Sequence, residues 1–279
     1  MSYIQKNYVE GKVVVITGAS NGFGKETAEI IAEMGGIPVI GARREEKLKA
    51  VADGIIAKGG KCLWKVTDVS KKEDVFGLVN YAVEQCGKID VLVNNACNMP
   101  VAYFADWEIA LDKWEQCIDI GLKGTLYGMC AAYNPMMAQG EGQIINISST
   151  GGNFPAAGAA VYSAVKQAVN YLTRSMRHEC HGKIKLSTLA PSATMGTELA
   201  MGLVNPAASV GLAGHLFMDN GQMSMSFGAR PELADMESIG CYSISPRALA
   251  ENIVYLINQP MGVNISDITV RSTDDHLMV

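Results

Sequence analysis

Four consecutive β-branched residues, Val13-Val14-Val15-Ile16, run directly into Thr17-Gly18-Ala19-Ser20-Asn21-Gly22-Phe23-Gly24. A short run that is apolar at every position suits a strand covered on both faces. The glycine-rich turn that follows, leading into a helical stretch that reaches Gly35, is a nucleotide-binding arrangement. Gly18 permits the tight turn, Gly22 lets backbone approach a pyrophosphate, and Gly24 lets the helix pack closely on the strand. Ser20, Asn21 and Phe23 complete the turn as candidate cofactor contacts.

The alternation continues. Ile37 to Gly41 reads as a second strand, and Leu48, Val51, Ala52, Ile55 and Ile56 form a helical stripe ending at Gly59-Gly60. A strand from Lys61 to Val66 precedes Thr67-Asp68-Val69, and a further helix carries Val75, Leu78, Val79, Ala82, Val83 and Cys86. Ile89 to Val93 make a fourth strand, with helices expected at 108–138 and 159–181 and strands at 183–189 and near 265–270. This pattern predicts an α/β fold, a single doubly wound Rossmann-type domain over residues 1–279 with a parallel sheet and helices on both faces.

In such a fold the end of the second strand faces the adenosine ribose. An acidic residue there reads a free 2′-hydroxyl, and an arginine reads a 2′-phosphate. Here stand Ala42-Arg43-Arg44. Arg43 offers a planar fork to phosphate and Arg44 adds charge or stacks on adenine, so NADP(H) is favoured over NAD(H). The alternative is that both simply begin a solvated helix. Asp68, followed by Val69, either accepts a hydrogen bond from the adenine amine or caps the next helix.

Composition narrows the function classes. Net charge is −5, with no basic cluster to suit nucleic acid or an anionic membrane surface. No apolar run approaches the roughly 18 residues of a membrane span, so a soluble, cytoplasmic protein is expected. Seven cysteines without Cys-x-x-Cys spacing read as reduced thiols. His178-Glu179-Cys180-His181 lies at an expected helix end and lacks further ligand spacing, so no metal site is expected. A P-loop is excluded because Gly24-Lys25 is followed by Glu26 rather than Ser or Thr.

The chemistry is concentrated between Gln143 and Lys166. Ile144 to Ile147 deliver Ser148 and Ser149, and thirteen residues after Ser149 comes Tyr162, followed one helical turn later by Lys166. At i and i+4 the ammonium lies under the phenol. Lowering a Tyr pKa by about three units needs roughly 4 kcal/mol of preferential phenolate stabilisation. A positioned Lys, joined by a cofactor cation, could supply it. Ser149 could hydrogen-bond the same substrate oxygen, so the three would polarise a carbonyl or deprotonate an alcohol. Tyr-x-x-x-Lys also arises by chance in many helices, and the rest of the chain decides its meaning.

Taken together, Thr17-Gly18-x-x-x-Gly22-x-Gly24, Asn94-Asn95-Ala96, Ser149, Tyr162-x-x-x-Lys166 and Pro191 resemble the classical short-chain dehydrogenases/reductases. The resemblance implies hydride transfer between a nicotinamide and a carbonyl or alcohol carbon. It implies Tyr162 as general acid/base, Lys166 on the nicotinamide ribose and Ser149 on the substrate oxygen. Asn95 and Ala96 would line the cofactor, and Pro191, Ser192 and Thr194 would lie near the nicotinamide. Three positions depart from the family pattern. Cys97 and Ser192 stand where Gly is common, and Gly121 stands where the family has a catalytic Asn that holds a water beside the Lys. A working triad with a changed proton path is expected.

Residues 194–240 correspond to the family's substrate flap and carry six of the fifteen methionines: Met195, Met201, Met218, Met223, Met225 and Met236. Unbranched thioethers adapt to irregular apolar shapes. With Met99, Val101, Tyr103 and Phe104 as a facing wall, this predicts a medium to bulky apolar ketone or secondary alcohol, hydroxysteroid-like or another hydrophobic carbonyl. A Met-rich core or subunit contact is the alternative. By resemblance the helices at 108–138 and 159–181 would pair subunits into a homodimer or homotetramer. A second class of function is a non-catalytic NADP(H)-binding or scaffolding protein on the same fold.

Overall fold

Alternate residues of the first strand face opposite ways, and both sets are apolar, so the strand must be covered from both sides. A computed structural model of the protein describes residues 6–194, 197–208, 218–219, 222–223 and 235–275. In it Val14 and Ile16 join one hydrophobic core, Val13 and Val15 a second, on the two faces of one sheet.

The first half alternates strictly: β1 (Val13–Thr17), α1 (Gly22–Glu33), β2 (Ile37–Ala42), α2 (Glu45–Ala57), β3 (Leu63–Val66), α3 (Lys72–Cys86) and β4 (Val91–Asn94). The second half runs α4 (Trp107–Cys117), a π-helical turn (Ile118–Lys123), α5 (Gly124–Gln139), β5 (Gly142–Ile147), α6 (Ala160–Glu179), β6 (Ile184–Pro191), α7 (Pro246–Ile257) and β7 (Asp267–Val270). The sheet order is β3-β2-β1-β4-β5-β6-β7, and each pairing is parallel. Helices α1, α2 and α7 supply one core, and α3, α5 and α6 the other. This is the expected doubly wound α/β architecture. The order reverses between β1 and β4, where such sheets open a crevice at the strand ends.

Two elements differ from expectation. The helix expected at 108–138 is interrupted by the π turn, whose Gly124 N–H donates to the Asp119 carbonyl five residues back. Helix α7 was not expected. It starts on Ser245, whose side chain accepts from Ala248 N at 3.1 Å, with Pro246 in its first turn. Its buried Leu249, Ile253, Leu256 and Ile257 pack toward α1.

Candidate active site

All seven strands point the same way, so the turns after β1, β2, β3, β4, β5 and β6 gather along one edge of the sheet. After β1, Gly18 and Gly22 adopt left-handed backbone (φ +68° and +53°), which favours glycine. A Cβ on Gly18 would lie 2.8 Å from Ala96 Cα, and one on Gly24 2.7 Å from Asn95 Nδ2. The β4 turn grips the β1 turn. Thr17 Oγ1 accepts from Asn95 N (3.1 Å) and Ala96 N (3.2 Å), while Asn95 Nδ2 donates to Thr17 O (2.8 Å). Asn95 is thus a clamp on the glycine turn as well as part of its wall.

A cleft of about 280 Å³ opens over this turn. Its lining includes Gly18, Ser20, Asn21, Gly22, Phe23, Arg43, Arg44, Asp68, Val69, Asn95 and Ala96, all named as candidates from sequence. Gly24 stands behind them as the packing contact for α1. Arg44 rather than Arg43 reaches the turn, its Nη2 donating to Ser20 Oγ at 3.1 Å. Asp68 Oδ1 is engaged by Ser70 N (3.1 Å) and Ser70 Oγ (2.8 Å). Its capping alternative is not realised, since α3 starts after Lys71 without a side-chain cap. The cleft also takes in Cys97, Asn98, Gln116, Thr197, Glu198 and Leu199. Sequence reading missed Thr197 and Glu198 as cleft residues because their approach depends on the path of the chain after β6.

A second group assembles at the end of β5. Ser149 accepts from Gly151 N at 3.1 Å at the start of a 3₁₀ turn. A Cβ on Gly152 would lie 2.9 Å from Lys166 Cβ, so this turn packs directly on α6. Tyr162 and Lys166 are buried on one face of α6, with Lys166 Nζ 5.6 Å from the centre of the Tyr162 ring. Lys166 Nζ donates to Ile147 O at 2.8 Å. Ser149, Tyr162 and Lys166 are therefore brought together, Tyr162 and Lys166 by their i, i+4 spacing on α6 and Ser149 by the packing of its turn on that helix.

Burial pushes the Tyr162 phenol well above the usual value, nearby Cys97 adds to this, and the neighbouring Ser149 hydroxyl opposes it. Burial also pushes the Cys117 thiol up to about 12, with the Lys166 charge pulling the other way.

Pro191, Ser192 and Thr194 leave the end of β6 beside this second group and are not part of the cleft lining. Ser192 N donates to Val270 O (3.0 Å) and Thr194 Oγ1 to Ser192 O (3.2 Å). Gly121 lies in the π turn, buried, with its carbonyl accepting from Thr125 Oγ1 at 2.8 Å. A Cβ there would stand 2.7 Å from Val165 Cγ1. Val165 thus occupies the space into which a side chain at 121 would grow. Of the expected facing wall, Met99 packs with Tyr162 and Val101 is fully buried, while Phe104 turns outward and stacks on Trp114. Met195 and Met225 lie outside the described residues, as do the side chains of Met201, Met218 and Met223. Met236 is exposed, its sulfur accepting from Ser245 N.

A seven-stranded parallel sheet with this order and a glycine turn at its reversal point defines a doubly wound dinucleotide-binding protein. The family model described as short chain dehydrogenase matches residues 12–207. An uncharacterized oxidoreductase of Listeria monocytogenes is 36% identical over 266 residues, covering 95% of this chain and 98% of that protein. One from Staphylococcus saprophyticus is 33% identical over 272 residues, 97% and 100% of the two chains. Among solved structures, a metagenomic short-chain oxidoreductase in complex with NADP superposes with a TM-score of 0.73 at 27% identity, covering 95% of this chain and 99% of the other. Actinorhodin polyketide ketoreductase with NADPH gives 0.77 at 26% identity, covering 95% and 98%. The chain belongs to the short-chain dehydrogenase family and is an oxidoreductase of that family with a nucleotide cofactor.

Proposed function

We propose that the protein is an NADP(H)-dependent oxidoreductase that interconverts a ketone and a secondary alcohol on a medium to bulky apolar substrate, in one domain with a substrate flap at about 194–240. The observation that carries this reading is a buried phenol, Tyr162, with Lys166 on the same helix face and Ser149 on the turn packed against that helix, beside a dinucleotide-type cleft.

The cleft fits a dinucleotide. Gly18 and Gly22 leave no side chain between the turn and a pyrophosphate, and Asn21 makes no side-chain cap that would occupy the first N–H groups of α1. Arg44, held against Ser20, stands where a 2′-phosphate would be read, with Arg43 beside it. The NADP and NADPH carried by the two solved relatives support the same preference. Bound, the nicotinamide supplies or accepts hydride.

The protein's own residues handle the oxygen and its proton. Ser149 orients the substrate oxygen, and Tyr162, held protonated by burial, donates its proton to a carbonyl oxygen as the alcohol forms. In the reverse direction phenolate must form, and the buried Lys166 ammonium is the cation positioned to stabilise it. Pro191, Ser192 and Thr194 shape the floor beside β5. Exposed Ile118, Leu126 and Tyr171 on the π turn, α5 and α6 support pairing of these helices in a homodimer or homotetramer. Among the described residues no helix is long and apolar enough to cross a membrane.

The test is NADPH oxidation with a panel of bulky apolar ketones, for the wild type and Tyr162→Phe. Turnover should fall by about 10² to 10⁴ in the variant, with NADPH binding retained in calorimetry. Equal turnover by the two proteins would overturn the role of Tyr162. Absence of turnover by the wild type on any carbonyl would favour the non-catalytic reading instead.

A further inference from the structure

The cofactor cleft is roofed by a segment from the far side of the sheet. Residues 197–202 follow β6, and Thr197 Cγ2 lies 3.4 Å from where a Cβ on Gly22 would stand. The next residue, Glu198, reaches the start of α2. Its carboxylate pairs with Arg44 Nη1 at 2.5 Å and with Lys47 Nζ at 2.7 Å. Arg44 and Lys47 are three residues apart at the start of one helix and present a two-cation face. The same Arg44 gives its other terminal nitrogen to Ser20 of the glycine turn. Glu198 therefore occupies the cationic corner that would read a phosphate on the adenosine ribose.

We propose that Glu198 is a specificity-determining residue: an internal anion that holds the 197–202 segment over the cleft and is exchanged for the 2′-phosphate when NADP(H) enters. The proposal rests on the NADP(H) reading above. Three observations support it. The carboxylate bridges both cations, so a phosphate cannot take the same donors while it stays. A phosphate monoester carries up to two negative charges and three acceptor oxygens against one charge and two oxygens, so it wins the exchange. The pairs are exposed, with side chains 37–52% accessible, and exposed pairs separate at little cost. Lys47 first, then Arg44, draws the Glu198 carboxyl below its usual pKa, so it remains an anion at neutral pH.

NADH has a ribose hydroxyl and no phosphate, so it leaves the latch closed. The exchange thus makes the position of the roof depend on which dinucleotide is bound.

The experiment is calorimetric titration of the wild-type protein and Glu198→Gln with NADPH, NADH, 2′,5′-ADP and 5′-AMP. Removing the competing anion should tighten NADPH and 2′,5′-ADP roughly fivefold, the upper range of an exposed ion pair, and leave NADH and 5′-AMP unchanged. A wild-type preference for NADPH that the substitution leaves unchanged or weakens overturns the latch alone. Tighter binding of NADH than NADPH by both proteins overturns the cofactor reading and the latch with it. Hydrogen exchange of the wild type provides a readout independent of any variant. Amides of 197–203 should exchange faster with saturating 2′,5′-ADP than with 5′-AMP, and equal exchange in the two overturns the latch.

Discussion

At Gly121 a hydrogen atom sits 44 residues in sequence from the methyl group that crowds it. Because a Cβ there would meet Val165 Cγ1 at 2.7 Å, restoring the family's Asn cannot simply restore its function. Gly121→Asn overpacks the site and should cost about 1–3 kcal/mol, seen as a fall of several degrees in Tm. Gly121→Asn with Val165→Ala should recover most of that loss, and a double variant no more stable than the single one would refute the steric account. The departure from the family at 121 was legible from the motif spacing alone. That Val165 fills the space was not, because it depends on how the π turn sets α6 against its neighbour. Glu198 is the same case. Arg44 and Lys47 advertise a cationic helix start, but nothing local says that a carboxylate beyond β6 lies on it.

Among the elements, α7 carries a helix signal in its sequence. Ser245-Pro246 is a helix start in its own right, since Ser can cap and Pro fits the first turn. Leu249, Ile253, Leu256 and Ile257 keep helical spacing behind it. The sequence before it holds no strand-helix alternation, so the short stripe stands without a neighbouring pattern to set its place in the fold. The β-α alternation of the first half was readable because each strand is apolar on both faces and each helix on one. Ser245→Ala removes the side chain that accepts from Ala248 N and should cost about 1 kcal/mol. Thermal unfolding should shift down by about 2–4 °C, while loss of the whole fold would show that the cap does more than close one helix.

On the scale of the whole molecule, Lys185 ties the penultimate strand of the sheet to the chain beyond α7. Buried in β6, its Nζ donates to Gln259 O (3.2 Å), Pro260 O (3.5 Å) and Val263 O (3.2 Å). Burial, aided by Lys12 and opposed by Glu141, lowers its pKa to about 8. The unfolded chain therefore binds more protons than the folded one between about pH 8 and the ordinary Lys value near 10.4. The Lys185 contribution to stability then rises with pH through that window. Thiols that burial holds near 12, Cys62 and Cys117, act the opposite way above their unfolded pKa. Comparison with Lys185→Met separates the two effects. Denaturant midpoints should show the wild type gaining on the variant from pH 8 to pH 10, and a gap independent of pH would refute this assignment.

The π turn between α4 and α5 works as a phase shifter. Ala110, Trp114 and Cys117 before it, and Thr125, Gly128, Met129, Ala132 and Met136 after it, read along the sequence as one continuous stripe. One extra residue per turn breaks that phase by about 100°. The first half of the stripe accordingly faces α6 and the 99–104 loop, and the second faces the sheet. A single helix thereby serves two partners lying in different directions. Deleting one residue between 118 and 123 would straighten the phase and swing one of those two faces away from its partner, without changing a single side chain on either.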